Sequence, residues 1–169
     1  MAGQLVQVDS WEYSTDVNSV TLTGIDSDDV YMLVSVGLQS TNTEAVSMRF
    51  AESGTLNATA NYDWAYKELS VASAFSNPAN TNFNEIRFGA TSSGNNWDNT
   101  IHYIYNAYNS SEYTFVTSEN VRYGATSSQG RQGGGVFTVA SQVNGVGIGI
   151  FTGPTNNLTA GKLILYKVV

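Results

Sequence analysis

Side chains that could carry out chemistry are sparse in this sequence. The 169 residues include one histidine, His102, and no cysteine, so disulfides, thiolate catalysis and cysteine zinc sites are excluded. His102 lies in the alternating segment 101–105, on the side opposite the row of Ile101, Tyr103 and Tyr105. Catalysis needs a nucleophile, a base or a metal at a fixed spacing, and none is recognisable around this residue. The sequence therefore predicts a structural role for His102.

The acidic and glycine-rich segments do not complete a known site either. Asp26, Asp28 and Asp29 have a spacing that suggests calcium, but the glycine and bidentate glutamate of an EF-hand are missing, so a solvated turn is predicted. Segment 130–135 holds four glycines without the Gly-Lys-Ser/Thr ending of a phosphate loop, and it predicts a flexible turn that exposes Arg131 for binding. No spacing favours a carboxylate pair for glycoside hydrolysis. We expect no enzyme, no metal and no cofactor.

The composition restricts the partners that the chain can have. Charged residues make up only 12% of the sequence, about half of the usual share, and the net charge is −7. The seven basic residues are scattered singly, whereas nucleic-acid binding requires them to be clustered on one face. No apolar stretch approaches the roughly 20 residues of a membrane span. We therefore expect neither nucleic acid nor a membrane as a partner.

Alternation of apolar and polar residues recurs along the whole chain. It is clearest in segments 30–38, 46–50, 101–105, 113–117 and 146–150, and clusters of Gly, Asn, Ser and Asp separate such runs. This period of two is typical of half-buried strands, and no segment keeps a helical period. The sequence predicts an all-β chain with about nine to eleven strands. We expect residues 1–169 to form a single antiparallel β-sandwich domain, jelly-roll-like in architecture.

Two segments near the end of the chain are candidates for contact between subunits. Gly145, Gly147 and Gly149 remove the side chains from one face of a strand, which permits close approach by another chain segment. That segment could be an aromatic residue of a neighbouring strand or part of a second subunit. Leu163 and Leu165 belong to a closing strand that is apolar on both faces. These five positions are the predicted subunit contacts.

One short internal repeat is present. Residues 87–93 and 122–128 match at six of seven positions, and each reads as a strand end that enters a polar turn. Either two corners share one geometry, or a duplicated loop presents two similar surfaces. Trp97 follows the first of these turns and is, with Arg131, a candidate exposed residue of a binding loop.

The order of several segments carries a family resemblance. Ile-His-Tyr-Ile-Tyr-Asn at 101–106 is followed by Tyr-Thr-Phe-Val at 113–116, by glycines at 133–135, by 140–146 and by Leu-Thr-Ala-Gly-Lys-Leu-Ile-Leu-Tyr at 158–166. This order resembles a widespread family of bacteriophage virion β-domains found in tail-fibre and capsid-associated proteins. The first half is similar more loosely, in segments 29–34, 48–50 and 61–64. The chain departs from the family at Lys167, where a glycine is usual.

The resemblance implies a structural role without catalytic residues. Tail fibres have an adaptor and a shaft before such a domain, and neither precedes the first predicted strand, so we expect a capsid decoration (cement) protein on the outer surface of the phage head. Its expected partners are the major capsid protein or other virion proteins, and two further copies of itself in a homotrimer. One alternative is a tail-fibre tip that recognises host surface glycans through loop aromatics such as Trp97. A second alternative is a soluble carbohydrate-binding domain.

Overall fold

The computed structural model describes residues 3–41, 44–71, 75–88, 97–124, 128–153 and 155–169. These residues form two antiparallel β-sheets and contain no helix, which confirms the prediction of an all-β sandwich. The described strands outnumber the nine to eleven expected, because pairings of only two residues carry no readable sequence period. The strands are β1 (Leu5–Glu12), β2 (Ser19–Thr23), β3 (Tyr31–Ser40), β4 (Ser47–Glu52), β5 (Thr55–Leu56), β6 (Tyr62–Ser70), β7 (Ala79–Phe83), β8 (Ile86–Arg87), β9 (Trp97–Tyr105), β10 (Thr114–Tyr123), β11 (Ser128–Phe137), β12 (Gly145–Gly149) and β13 (Leu158–Val168).

The chain passes repeatedly between a larger and a smaller sheet. The larger sheet has the order β1-β13-β3-β9-β10-β11-β6-β7, and the smaller has the order β2-β12-β4-β5, with β8 paired to β4. Within the larger sheet, β9, β10 and β11 follow one another as a meander. The first and last strands are neighbours, and Gln4 exchanges two backbone hydrogen bonds with Val169 at 2.6 and 2.9 Å. The two ends of the described chain therefore lie side by side.

An aromatic cluster joins the two sheets. Phe50 of β4 packs against Tyr62 of β6 and Phe137 of β11, and the rings of Tyr62 and Phe137 are 4.8 Å apart. The fully buried Tyr62 hydroxyl accepts a hydrogen bond from the Phe50 amide at 3.0 Å and donates one to the Asn57 carbonyl at 2.9 Å. Burial raises the pKa of Tyr62, so this hydroxyl stays protonated. The core between the sheets thus includes a polar link at its centre.

The structure accounts for the glycine row within one chain. Gly145, Gly147 and Gly149 lie on β12, the strand between β2 and β4, and all three are buried. A Cβ atom on Gly147 would lie 2.6 Å from the side chain of Leu56, and one on Gly145 would lie 2.7 Å from the Leu22 carbonyl oxygen. The row is therefore needed for packing against the chain's own residues, and it is not on the surface.

The other two predicted subunit contacts are also interior. Leu163 and Leu165 face the smaller sheet from β13, and each has 0% of its surface exposed. The outward residues of the same strand, Ile164 and Tyr166, are half-buried. All five predicted positions are buried within one chain, so another subunit cannot contact them in this fold.

The prediction of a flexible turn at 130–135 was wrong. These residues belong to β11, which pairs with β10 on one side and β6 on the other. Glycines carry no side chains, so the run shows no alternation although it lies inside a sheet. Gly133 pairs with Tyr66, whose Cβ atom would lie 2.6 Å from a Cβ on the glycine. Of the internal repeat, residues 89–93 and 125–127 lie outside the described residues, so its two interpretations stay open.

Replacing Gly149 by alanine should destabilise the fold by about 1–3 kcal/mol, because the added Cβ would lie 2.6 Å from the Asn18 carbonyl oxygen. Gly130→Ala is the matched control on β11: its Cβ would meet only the Asn120 carbonyl oxygen, at 3.6 Å, and its stability should change by less than about 1 kcal/mol. Urea unfolding followed by circular dichroism measures both. Equal stabilities for the two variants would contradict this account of the glycine row.

Candidate functional site

The histidine makes a buried hydrogen bond between two strands of the larger sheet. His102 points inward from β9, and its Nδ1 atom lies 2.7 Å from the Oγ atom of Ser118 on β10. Its ring packs edge-on against Phe88, with the ring centroids 4.0 Å apart. Complete burial lowers the pKa of His102 to about 3, so the ring is neutral at physiological pH. Its Nε2 atom has no hydrogen-bond partner among the described residues.

A carboxyl group lies on the same inward face of β9. Asp98 is 1% exposed, and its Oδ1 atom accepts hydrogen bonds from Thr100 Oγ1 at 2.9 Å and from Asn120 Nδ2 at 2.7 Å. Burial raises the pKa of Asp98 to about 6, and these two hydrogen bonds oppose that rise. Within the described residues its Oδ2 atom has no partner. No motif or spacing in the sequence identifies Asp98 as a buried carboxyl group.

These residues do not form a catalytic triad. Asp98 and His102 are four residues apart on one strand, which places them about 13 Å apart along β9. A serine nucleophile needs a histidine that a carboxylate orients, and it needs space for the substrate. Beside Ser118 and Phe88 there remains a cavity of about 10 Å³, which is at the lower limit for one water molecule. The arrangement is a polar network inside the sandwich, as the structural interpretation of His102 predicts.

Arg131 is part of the same inward face. The sequence predicts it in an exposed loop, whereas the structure places it on strand β11. Its Nε and Nη2 atoms donate hydrogen bonds to Glu68 Oε2 at 2.8 and 2.6 Å, and its guanidinium group lies 4.6 Å from the centroid of the Tyr66 ring. Only 10% of its side-chain surface is exposed. Arg131 therefore connects β11 to β6 and is not free to bind a ligand.

The last strand brings one positive charge to the aspartate turn. The Nζ atom of Lys167 lies 3.3 Å from Asp26 and 3.1 Å from Asp29, and the Tyr31 hydroxyl donates a hydrogen bond to Asp26 at 3.0 Å. The hydrogen bond from Tyr31, followed by those from Lys167, lowers the pKa of Asp26. No group of metal-binding side chains occurs within the described residues. Lys167 thus forms ion pairs with two of the three aspartates of this turn.

The most unusual surface is the outward face of three neighbouring strands. We call the outward residues of β3, β9 and β10 the outer patch. Seven of its large apolar members are 40–62% exposed: Val36, Trp97, Ile101, Tyr103, Phe115, Val121 and Tyr123. Along these three fully described strands, Glu119 is the only charged residue that points outward. An antiparallel sheet that covers a core usually presents polar residues to water. A contiguous apolar face of this kind indicates a contact surface.

Two shallow grooves run along the outer patch. One has a volume of about 380 Å³ and is lined by the aliphatic residues Val34, Val36, Ile101 and Val121 together with polar residues that include Asn99 and Glu119. The other has a volume of about 320 Å³ and lies on the far side of the Ile101–Glu119 pair. Its lining residues include Ile101, Tyr103, Thr117, Glu119, Gln132 and Gly133. Trp97 belongs to this surface. It begins β9 and does not lie in a loop, but it is 53% exposed, as predicted.

Comparisons with protein-family models, with curated proteins and with solved structures find no significant match to this chain. In the part of the chain that the structure describes, no helix is long and apolar enough to cross a membrane. The outer patch and the interior polar network are therefore the two features of the described residues that bear on function.

Replacing Asp98 by asparagine should stabilise the protein above pH 6. The folded-state pKa of Asp98 is about 6 and an unfolded aspartate has a pKa of about 3.9, so at higher pH folding must bury a carboxylate. Asparagine keeps an oxygen for Thr100 and Asn120 without that charge. We expect a gain of roughly 1–3 kcal/mol at pH 8 that shrinks as the pH falls from 6 to 4, because the native carboxyl group then becomes neutral.

The measurement is urea unfolding of both proteins at pH 8, 6 and 4. The titration of His102 has the opposite effect on the free energy of unfolding. Its folded-state pKa is below the unfolded value of about 6.5, so its contribution to stability is lost as the pH falls below 6.5. Asp98→Asn should therefore be the more acid-sensitive protein between pH 6 and 4. A variant that is less stable than the native chain at pH 8 would contradict this interpretation. Asp28→Asn, at an exposed aspartate, is the control for a general effect of removing a carboxylate.

Proposed function

We propose that this chain is a structural protein of a bacteriophage particle, and specifically a capsid decoration protein on the outer surface of the head. The observation that carries the proposal is the outer patch, because a protein that works by assembly needs an exposed face that another protein, or another copy of the same chain, can cover. Its proposed partners are the major capsid protein or other virion proteins. The resemblance of segments 101–166 to virion β-domains supports the location on a particle.

The chemistry of the outer patch suits a contact between proteins. The cores of protein interfaces are enriched in aromatic residues and depleted in charge. Tyr103, Phe115 and Tyr123 are exposed on the patch, and Glu119 already accepts a hydrogen bond from Gln132 Nε2 at 3.1 Å. Covering this surface desolvates one carboxylate and much apolar area. The hydrophobic gain is therefore opposed by little electrostatic cost.

A role without catalysis is part of the proposal. The histidine–serine pair is enclosed between the sheets, and the adjoining cavity of about 10 Å³ has no room for a substrate.

We also propose that the chain assembles as a homotrimer. Self-assembly would stabilise a protein that has no disulfide, because association shifts the equilibrium toward the folded state.

The second candidate function is recognition of a glycan, either at a tail-fibre tip or as a soluble carbohydrate-binding domain. The groove of about 320 Å³ favours it, because an exposed tyrosine ring, Tyr103, lies beside hydrogen-bonding groups of Thr117, Glu119 and Gln132. Sugars stack on aromatic rings and bond to carboxylate and amide groups. The other groove combines four aliphatic residues with polar ones and has no aromatic ring among its described lining residues, which favours a protein partner for the patch as a whole.

Amine cross-linking of purified particles should connect this chain to the major capsid protein. Three lysines are present in the sequence, and two of them, Lys67 on β6 and Lys162 on β13, flank the outer patch in the larger sheet. We expect mass spectrometry to find links to the capsid protein from Lys67 and Lys162. Lys67→Arg and Lys162→Arg should remove these links and leave binding to the particle unchanged. Links to tail proteins alone would overturn the decoration role and favour the fibre tip.

A further inference from the structure

We infer that the outer patch is covered by a neighbouring copy of this same chain. The inference rests on the proposed role in assembly and names the partner of that surface. Three properties of the described residues lead to it: the size of the patch, the distribution of charge around it, and a glycine-lined trough beside it. Each of them fits a second copy better than a small ligand.

The size of the patch matches one side of a protein interface. The nine residues of β9 span about 30 Å, and the three strands of the outer patch together with the adjoining strand β13 present a width of about 20 Å. The face therefore covers on the order of 600 Å². A standard protein interface uses about 800 Å² on each partner, and a sugar covers much less. Ile164 and Tyr166 on β13 extend the apolar area beside Val34 and Met32.

The distribution of charge favours this face for contact between copies. Each chain has a net charge of −7, so two copies repel one another except where negative charge is sparse. The outer patch is such a region. In the row across the sheet, Glu119 pairs with Gln132, and Gln132 pairs with Lys67 on β6. Glu119 and Lys67 are thus two strands, or about 10 Å, apart on one face, so a shifted neighbour can place its lysine against this glutamate.

The shape of the surface is also complementary to itself. The side chains of Ile101, Tyr103 and Val121 form a raised row on β9 and β10. On the adjoining strand β11, the positions paired with Thr117 and Val121 are Gly134 and Gly130, which have no side chains. The groove of about 320 Å³ begins at this step. The raised row of one copy can therefore pack into the trough of the next copy.

Such a contact joins two different parts of the surface, the raised row and the trough. A head-to-tail contact of this kind closes into a ring when the rotation between copies permits it. It therefore accounts for the proposed trimer without the glycine row of β12, which is buried. In the ring each copy contributes its raised row to one neighbour and its trough to the other.

The test compares two matched variants, Thr117→Lys and Thr21→Lys. Both residues are exposed threonines on strands, but Thr117 lies on the outer patch and Thr21 lies on the outer side of the smaller sheet. Sedimentation velocity at about 10 μM should show the native 18.2 kDa chain and Thr21→Lys as trimers. Thr117→Lys should be monomeric, with self-association weakened on the order of 100-fold or more by the buried charge. Circular dichroism should show the same β-sheet spectrum for all three.

Other outcomes have separate meanings. A native chain that stays monomeric overturns the inference but not the decoration role, which the cross-linking of particles tests independently. A dimer that Thr117→Lys dissociates supports the surface and overturns the trimer. Loss of association in Thr21→Lys, with Thr117→Lys unaffected, moves the contact to the smaller sheet and overturns the inference. A monomer that binds oligosaccharides on a glycan array, and loses that binding in Thr117→Lys, overturns it in favour of the glycan function.

Discussion

The sandwich depends on the link that Tyr62 makes between its two sheets. The ring packs between Phe50 and Phe137, and its hydroxyl group bonds the backbone of the smaller sheet at Phe50 and the adjoining segment at Asn57. A phenylalanine at this position would fill the same space but leave the Phe50 amide without this partner in the interior. Because that cost is large in an apolar core, the hydroxyl selects one relative position of the sheets. The outer patch is the outer side of this arrangement.

The polarity of the meander is partly reversed with respect to the usual sandwich. On β9 the inward residues include Asp98, Thr100 and His102, whereas Ile101 and Tyr103 point to solvent. The inward groups mostly bond one another across β9 and β10, so polar side chains replace hydrophobic packing at this end of the interior. The apolar residues that would ordinarily occupy the interior lie outside. The interior network and the outer patch are two consequences of the same alternation.

This reversal explains what could be predicted from the sequence and what could not. The period of two at 101–105 identified a strand, and it placed His102 opposite Ile101 and Tyr103, as the structure has it. The period does not say which side faces the core, because that depends on the strands stacked against it. The prediction for residues 130–135 was wrong for another reason. Four of these residues are glycines without side chains, so the segment shows no period of two, and only its pairing with β10 and β6 makes it a strand. The sequence does not identify Asp98 as a buried carboxyl group, because one of its two hydrogen-bond partners, Asn120, comes from the neighbouring strand.

The pairing of the two chain ends has a mechanical consequence. Gln4 and Val169 are hydrogen-bonded at one end of the β1–β13 pair, and the register runs from Leu5 opposite Val168 to Glu12 opposite Lys162. A force that pulls Gln4 away from Val169 acts on one residue pair at a time, so the hydrogen bonds between β1 and β13 break one after another. A force across the face of the larger sheet is instead shared among many strands at once. A load across the sheet face therefore meets more resistance than a pull on Gln4 and Val169, which would separate β1 from β13 first.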